Sequence, residues 1–194
     1  MTDLLVSLAI LFPLFGAVLM VFFGKRLGEP WAGYLGTLTV AGAFGGAAVA
    51  AADFFTGTGE TVLVRWLDWF PAFGVSVELR WDPLSALMTL VVTGVGALIH
   101  LYSIGYMRGD ARYGRFFTYL NLFIASMLIL VLANNFAVLF IGWELVGLCS
   151  YLLISFWFEK ETAAAAGKKA FVVNRVGDVG FIVALMLVFS EFGT

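Results

Sequence analysis

Charged residues are scarce in this sequence of 194 residues: Asp, Glu, Lys and Arg together make up only 12%. In soluble domains, roughly a quarter of all residues are charged. Hydrophobic residues reach 62%, and the mean hydropathy is +1.00. A chain of this composition is predicted to lie in a lipid bilayer. Its net charge of only −2 suggests neither a basic nucleic-acid-binding surface nor an acidic binding tail.

Cysteine and histidine are nearly absent. Cys149 is the only cysteine, so no internal disulfide can form, and its apolar neighbours favour a buried, unreactive thiol. His100 is the only histidine, which excludes two histidine haem ligands or a zinc site of histidines and cysteines within this chain. No dinucleotide fingerprint or P-loop occurs in a strand–turn–helix context. We therefore expect no metal and no cofactor in this chain, and we assign any redox chemistry to partners.

Long apolar runs are abundant, and six of them are long enough to cross a bilayer as helices. They cover residues 4–24, 31–52, 83–107, 116–133, 136–158 and 169–192. Basic residues follow the first run rather than precede it, which is the reverse of a secretory signal, so this run is expected to be a retained helix. The predicted fold class is an all-α polytopic membrane protein with about six transmembrane helices.

One long polar interval, residues 53–82, separates the second and third runs. Residues 75–82 alternate between apolar and polar side chains, which indicates a half-buried strand. Residues 61–69 are the predicted partner strand and 71–74 the turn, so we expect an external β-hairpin. The single integral membrane domain then divides into 1–82, two helices plus the hairpin, and 83–194, four helices.

Basic residues are distributed unequally between the two sets of loops. The N-terminus, the hairpin, the turn at 134–135 and the C-terminal tail hold two of them, whereas the other three loops hold eight. Basic loops remain in the cytoplasm. The predicted localisation is therefore the inner (plasma) membrane, with several passes and with the N-terminus and the hairpin outside.

Glu144 lies near the centre of the fifth apolar run. It follows Asn135 by nine residues, which is ~13 Å along a helix and close to the middle of a ~30 Å hydrocarbon core. A charged side chain there costs roughly 3 kcal/mol on insertion scales, and protonation lowers that cost. Glu144 is thus a candidate proton carrier. The alternative is a carboxyl group that stays protonated and serves only helix packing.

Two further ionisable residues, Arg175 and Asp178, occupy the sixth run. Asp178 lies nine residues from Lys169, at a depth similar to that of Glu144 but reached from the cytoplasmic side. Arg175 precedes Asp178 by three residues, on the same helical face. Arginine does not lose its proton in proteins, so it requires an anion or water, and Asp178 is the nearest partner. The alternative is a charge pair that only fixes helix packing.

His100 is a weaker candidate, near the end of the third run. Its side chain titrates near physiological pH and could relay protons. The alternative is an interior or interfacial histidine whose hydrogen bonds are satisfied. Polar residues that could order water beside the carboxylates are Asn121, Ser126, Ser150, Tyr151 and Asn174.

Seven short motifs give the chain its family resemblance. It resembles the L subunits, the distal antiporter-like membrane subunits of the proton-pumping NADH:quinone oxidoreductase (respiratory complex I), in the segments Asp82–Ser85, His100–Ser103, Gly105–Met107, Phe116–Phe117 with Tyr119–Phe123, Gly142–Glu144, Gly147–Ile154 and Asn174–Asp178. The Trp-Glu pair also occurs in multisubunit cation/proton antiporters, but the continuation at 147–154 is closer to complex I.

The resemblance implies a role in proton translocation coupled to electron transfer from NADH to quinone. It also implies that residues 83–194 begin an antiporter-like proton-translocation module. It implies that the glutamate matching Glu144 lies in a central hydrophilic axis and is coupled to a lysine on a later, broken helix, with the positions of Arg175 and Asp178 beside it. The implied partners are the other membrane subunits of complex I, lipid and protons, without nucleic acid. NADH, FMN, iron–sulfur clusters and quinone are expected in partner subunits.

Family members have well over a dozen helices, so this chain is expected to be an N-terminal fragment that lacks the partner lysine and the second half of an inverted repeat. Two other functions stay open. The chain could belong to a multisubunit cation/proton antiporter, which ion transport without redox subunits would reveal. It could also be a non-catalytic membrane scaffold, which neutral substitution of Glu144, Arg175 and Asp178 would test.

Overall fold

The computed structural model describes residues 1–57, 59–71 and 74–192. Seven elements occur in this part of the chain, in the order α1 (Thr2–Phe55), β1 (Val62–Phe70), β2 (Val75–Trp81), α2 (Pro83–Tyr106), α3 (Tyr113–Leu132), α4 (Phe136–Ile154) and α5 (Glu161–Phe192). All five helices are long and apolar enough to cross a membrane. The predicted fold class, a helical membrane protein with one hairpin, is confirmed.

Helix α1 is two membrane-spanning segments joined by a break. The backbone leaves helical geometry at Gly28 and Glu29, and Gly28 has φ +60°, ψ −164°, which glycine adopts at little cost. Pro30 follows, and proline at the first helical position loses no hydrogen bond. The break leaves segments 2–27 and 30–55, so the described residues contain six spanning segments, as predicted.

The predicted hairpin is present. Strands β1 and β2 pair antiparallel, from Val62 opposite Trp81 to Phe70 opposite Val75, with register shifts after Arg65 and Asp68. Each shift is an irregularity of the β-bulge kind, and bulges are frequent in edge strands. The first and last residues of the predicted turn, Pro71 and Gly74, are joined by a backbone hydrogen bond of 3.1 Å. The two residues between them lie outside the described part of the chain.

Local capping sets the starts of α2 and α4. The Asp82 side chain accepts a hydrogen bond from the Ser85 backbone N–H at 2.8 Å, and the Ser85 hydroxyl is 2.8 Å from the Asp82 backbone nitrogen. This reciprocal capping box stands directly before Pro83, the first residue of α2. At the start of α4, Asn135 accepts from the Val138 N–H at 2.9 Å.

The hairpin covers one end of the helices and contributes to the core. Leu79 and Trp81 of β2 are each 1% exposed and belong to a buried cluster that includes Ala47 of α1 and Leu128 of α3. The α3–α4 turn lies against the same strand, because the Asn134 N–H donates to the Glu78 carbonyl at 3.0 Å. The hairpin and this turn therefore share one end of the molecule, as the distribution of basic residues predicted.

Polar contacts also join the loops at the opposite end. The Arg112 guanidinium donates to both carboxylate oxygens of Glu159, at 2.6 and 2.9 Å. The Trp157 indole N–H donates to Asp110 at 2.9 Å. The Gly109 N–H donates to Glu29 in the α1 break at 2.8 Å. The three predicted basic loops thus lie together.

Helix α5 begins earlier than its apolar pattern indicated. The sixth apolar run begins only at Lys169. Instead one continuous helix begins at Glu161. Four consecutive alanines at 163–166 explain the difference, since alanine has the highest intrinsic helix propensity and extends the helix through a segment too polar for the hydropathy pattern.

Candidate functional site

The candidate site lies between α4 and α5. Glu144 is the ninth of the 19 residues of α4, so it is ~13 Å from either end of the helix. Its side chain is 22% exposed and points to α5, where it forms an ion pair with Arg175. The carboxyl group therefore faces a protein partner near the middle of its helix. The counter-charge comes from another helix, because α4 has no basic residue.

Arg175 joins two carboxylates. Its Nη2 pairs with Glu144, while its Nε lies 3.1 Å from Oδ2 of Asp178, three residues further along α5. Glu144 and Asp178 are close enough for their carboxyl groups to interact directly. One cation therefore serves two acids that the sequence places on different helices.

Asp178 is the most deeply buried member of the group, with 4% of the residue exposed. Its Oδ1 accepts a hydrogen bond of 3.0 Å from the indole N–H of Trp143. Its Oδ2 is buried and lacks hydrogen-bond geometry toward any described donor, as does the Arg175 Nε beside it. Since buried polar groups in native proteins are nearly always satisfied, these two atoms mark an incompletely satisfied polar site.

Aromatic rings border the ion pairs on two sides. The Arg175 guanidinium lies 5.1 Å from the centre of the Phe171 ring, within cation–π distance, and Phe171 is 5.3 Å from Tyr151. On the other side the Trp143 indole stacks against Phe181 at 6.0 Å, with an interplanar angle of 24°. The charges are therefore held between apolar surfaces, where electrostatic interactions are stronger than in water.

Close helix packing near Glu144 depends on Gly142. A Cβ atom built there would lie 2.6 Å from the Leu130 backbone of α3, so no larger residue fits without a backbone shift. This contact orients α4 against α3 and turns the next residues toward α5. Gly147 is also close to α5, since a Cβ atom there would be 3.3 Å from the Asn174 amide nitrogen.

His100 is in a different place, among α1, α2 and α3. It is fully buried, its Nδ1 is 2.7 Å from the Gly96 carbonyl, and its Nε2 is 3.0 Å from the Asn121 amide nitrogen. A carbonyl only accepts, so Nδ1 carries the proton and Nε2 accepts from Asn121, which makes the ring neutral. Asn121 also receives a hydrogen bond of 2.8 Å from Thr39 of α1. Both ring nitrogens are satisfied, and a relay role for His100 stays a prediction.

Three of the four predicted site residues come together: Glu144, Arg175 and Asp178. Sequence reasoning did not assign a role to Trp143, although an indole directly before a mid-membrane carboxylate was a visible signal. Of the five polar residues expected near the carboxylates, Asn174 faces Gly147, and Tyr151 contacts Phe171. Asn121 bonds His100, and Ser126 bonds its own helix and lies 3.8 Å from the Cys149 sulfur, so these two serve other contacts.

Chemically, the cluster can exchange a proton. Two carboxylates and one guanidinium carry one net negative charge when both acids are ionised, and a single proton makes the cluster neutral. In a low-dielectric environment the neutral form is strongly favoured unless another cation is near. The group therefore fits proton uptake and release under the control of a neighbouring charge.

Comparison with protein families supports the resemblance seen in the motifs. Residues 66–117 match the family described as NADH-ubiquinone oxidoreductase (complex I), chain 5 N-terminus. Residues 133–194 match the family described as NADH:quinone oxidoreductase/Mrp antiporter, TM. The second match contains all three clustered site residues.

Individual relatives extend the similarity over the whole chain. NADH-quinone oxidoreductase subunit L of Mycobacterium tuberculosis H37Rv is 49% identical over 197 residues, which cover 100% of this chain and 30% of the relative. The subunit L of Escherichia coli K12 is 44% identical over 98% of the chain. NADH-ubiquinone oxidoreductase chain 5 of Metridium senile is 41% identical over 93%. The chain thus spans about a third of the length of these relatives.

Solved structures show the same fold. The Mrp complex of Dietzia sp. DQ12-45-1b matches 100% of this chain and 20% of its own chain, with a TM-score of 0.77 and 27% identity. The membrane-bound sulfane sulfur reductase, an archaeal respiratory membrane complex, matches 97% of this chain and 38% of its own chain with a TM-score of 0.83. At 21% identity the second likeness concerns the fold alone.

Proposed function

Because this chain is similar over its whole length to the L subunits of NADH-quinone oxidoreductase, antiporter-like membrane subunits of complex I, we propose that it takes part in proton translocation. In this function it belongs to a membrane subunit of the oxidoreductase, and its proton transfer is coupled to electron transfer from NADH to quinone. The observation that carries the proposal is the ion-paired group of Glu144, Arg175 and Asp178 between two membrane helices.

The mechanism relies on the sharing of Arg175. When the guanidinium lies against Glu144, it stabilises the ionised carboxylate and the proton leaves. When the guanidinium moves toward Asp178, Glu144 loses its counter-charge and takes up a proton. Withdrawal of a second positive charge from the neighbourhood of Glu144, such as that of the lysine implied by the resemblance, would have the same effect. Electron transfer in partner subunits would drive this movement of the guanidinium. In other proteins, ligand binding or a change of charge likewise moves a local group between two positions.

We further propose how the chain is oriented in the membrane and where the redox groups lie. The positive-inside distribution supports an N-terminus and a hairpin outside the plasma membrane. We assign the translocase step to this subunit and the redox groups, NADH, FMN, iron–sulfur clusters and quinone, to its partners. This assignment is supported by the lack of a nucleotide-binding or metal-binding motif in the sequence.

The test is Glu144→Gln in the assembled complex. The amide keeps the size of the side chain but cannot release a proton, so most of the pumping-coupled turnover should be lost. The matched control is Glu161→Gln, which changes an exposed carboxylate at the start of α5 and should leave turnover unchanged. A wild-type proton-to-electron ratio and activity in Glu144→Gln would refute the role.

A second function is a subunit of a multisubunit cation/proton antiporter. It is favoured by the structural likeness to the Mrp complex and by the family description of residues 133–194, which names the Mrp antiporter. Sodium or potassium transport in a strain without the redox subunits would select it. The same shared arginine would then gate cation exchange.

A further inference from the structure

Among the described residues, Trp143 forms a hydrogen bond to only one of the two acids. Its indole N–H donates to Asp178 Oδ1 at 3.0 Å, whereas Glu144 has only the Arg175 guanidinium as a described hydrogen-bonding or ion-pair donor. The indole is held in place by its stack against Phe181, which in turn stacks on Phe140 at 5.3 Å. The donor is therefore fixed in direction by apolar packing.

An indole N–H donates and never accepts, and its hydrogen bond is stronger to an ionised carboxylate than to a neutral acid. Asp178 is more deeply buried than Glu144, with side chains 5% and 22% exposed. Burial alone disfavours the negative charge on the more buried acid. Without Trp143, the proton shared by the two acids would therefore favour Asp178.

We propose that Trp143 is a positioning residue that keeps the negative charge on Asp178 and leaves the exchangeable proton on Glu144. The inference rests on the proposed function and adds to it the assignment of the proton within the pair. The indole N–H stays intact, and only O–H bonds are exchanged: the proton that leaves one carboxyl group binds the other.

The test uses Trp143→Phe in the assembled complex, with Trp157→Phe as the matched control. Trp157 also donates its indole N–H to a carboxylate, Asp110, at 2.9 Å, but at the loop end of the molecule. We expect Trp143→Phe to move the alkaline limb of pumping to higher pH by roughly one unit, because an anion-stabilising hydrogen bond is lost. Trp157→Phe should leave the profile unchanged.

Infrared difference spectroscopy then locates the proton. In the otherwise native complex, the band of the protonated carboxyl group should vanish in Glu144→Gln and persist in Asp178→Asn. In the Trp143→Phe background, the band should instead vanish with Asp178→Asn. If it still vanishes only with Glu144→Gln, and the pH profile matches that of Trp157→Phe, the inference is overturned.

Two measures keep the test decisive. If Trp143→Phe does not assemble, 3-benzothienylalanine at position 143 keeps the ring size and removes the N–H. If Glu144→Gln pumps normally, the proposed function fails, while the infrared assignment still shows which acid holds the proton. The two hypotheses therefore fail by different results.

Discussion

The two halves of the molecule treat buried polar groups differently. Half of the most apolar stretch of α3 is buried. Beside it, the polar side chains of His100 and Asn121 form a neutral, hydrogen-bonded group. Helix α5 is mostly exposed, with 6% of its most apolar stretch buried, yet Arg175 and Asp178 each hold a buried polar atom without a hydrogen-bond partner among the described residues. The first half is built to stay in one arrangement. The second holds two carboxyl groups that we propose to exchange a proton.

This contrast follows from elementary energetics. A neutral hydrogen-bonded group gains little from moving, because every donor and acceptor already has a partner. In the proposed mechanism, the cation between two acids can pair with either one, and proton occupancy selects the partner. Rigid packing in α1–α3 and the proposed proton exchange in α4–α5 can thus be separated by variants.

The largest effect is expected at the boundary of the two halves, for Gly142→Ala. The added methyl group would meet the Leu130 backbone at 2.6 Å, and a backbone cannot move aside as a side chain can. We expect a loss of roughly 3 kcal/mol in the free energy of unfolding. Thermal unfolding in detergent measures it.

The control for this variant is Gly45→Ala, where no atom lies within 4 Å of the new Cβ. It should be neutral or slightly stabilising, since alanine is the better helix former. Equal unfolding temperatures for the two variants would show that α3 and α4 are not in close contact.

A smaller effect is expected in the packed half, for Asn121→Leu. The change removes the donor to His100 Nε2 and the acceptor for Thr39, so about 1–3 kcal/mol of stability should be lost. Turnover per folded complex should stay within about twofold, because the group is hydrogen-bonded and neutral. A selective loss of pumping with normal stability would instead assign His100 to the proton path.

The smallest effect is expected at the surface, at the cap of α2. Asp82→Ala removes the capping acceptor and should cost about 1 kcal/mol. The hydrogen bond from the Ser85 N–H holds the pKa of Asp82 below its ordinary value of 3.8. A carboxyl group whose folded-state pKa is lowered stabilises the fold above its unfolded pKa, and the gain is lost as pH falls through the folded value.

The pH dependence supplies the control. Asp82→Asn keeps a capping oxygen but has no titrating group, so its stability relative to the native protein should be lower at neutral pH, and the difference should disappear at pH well below 3.8. If the difference in the free energy of unfolding between the two proteins does not change with pH across this range, the assignment is contradicted. Neither variant should alter the proton-exchange site.

Local patterns in the sequence were sufficient for the elements. Apolar runs predicted six spanning segments, and the alternation at 75–82 predicted strand β2, because helix and strand periods are properties of neighbouring residues. They were insufficient for the start of α5, where helix propensity extends beyond the apolar pattern. The break at Gly28 falls between the first two predicted runs, 4–24 and 31–52, where a connection between two spanning helices was required.

The site was predicted only in part. The depth of Glu144 could be counted along one helix, and Arg175 and Asp178 were paired by their spacing on another. The contact between the two helices depends on how each is rotated about its own axis, which no single segment encodes. His100 and Asn121 also lie within apolar runs, as the carboxylates do. Packing among α1, α2 and α3 nevertheless separates them from the clustered carboxylates.

The sequence by itself determined that this chain is a membrane protein with six spanning segments, one hairpin and an acid near mid-membrane, because hydropathy and period are local properties. Only the tertiary structure decided that one arginine serves two acids and that Trp143 bonds the deeper one. The physical reason is packing: the close approach of α4 to α3 at Gly142 sets the direction in which the following side chains point.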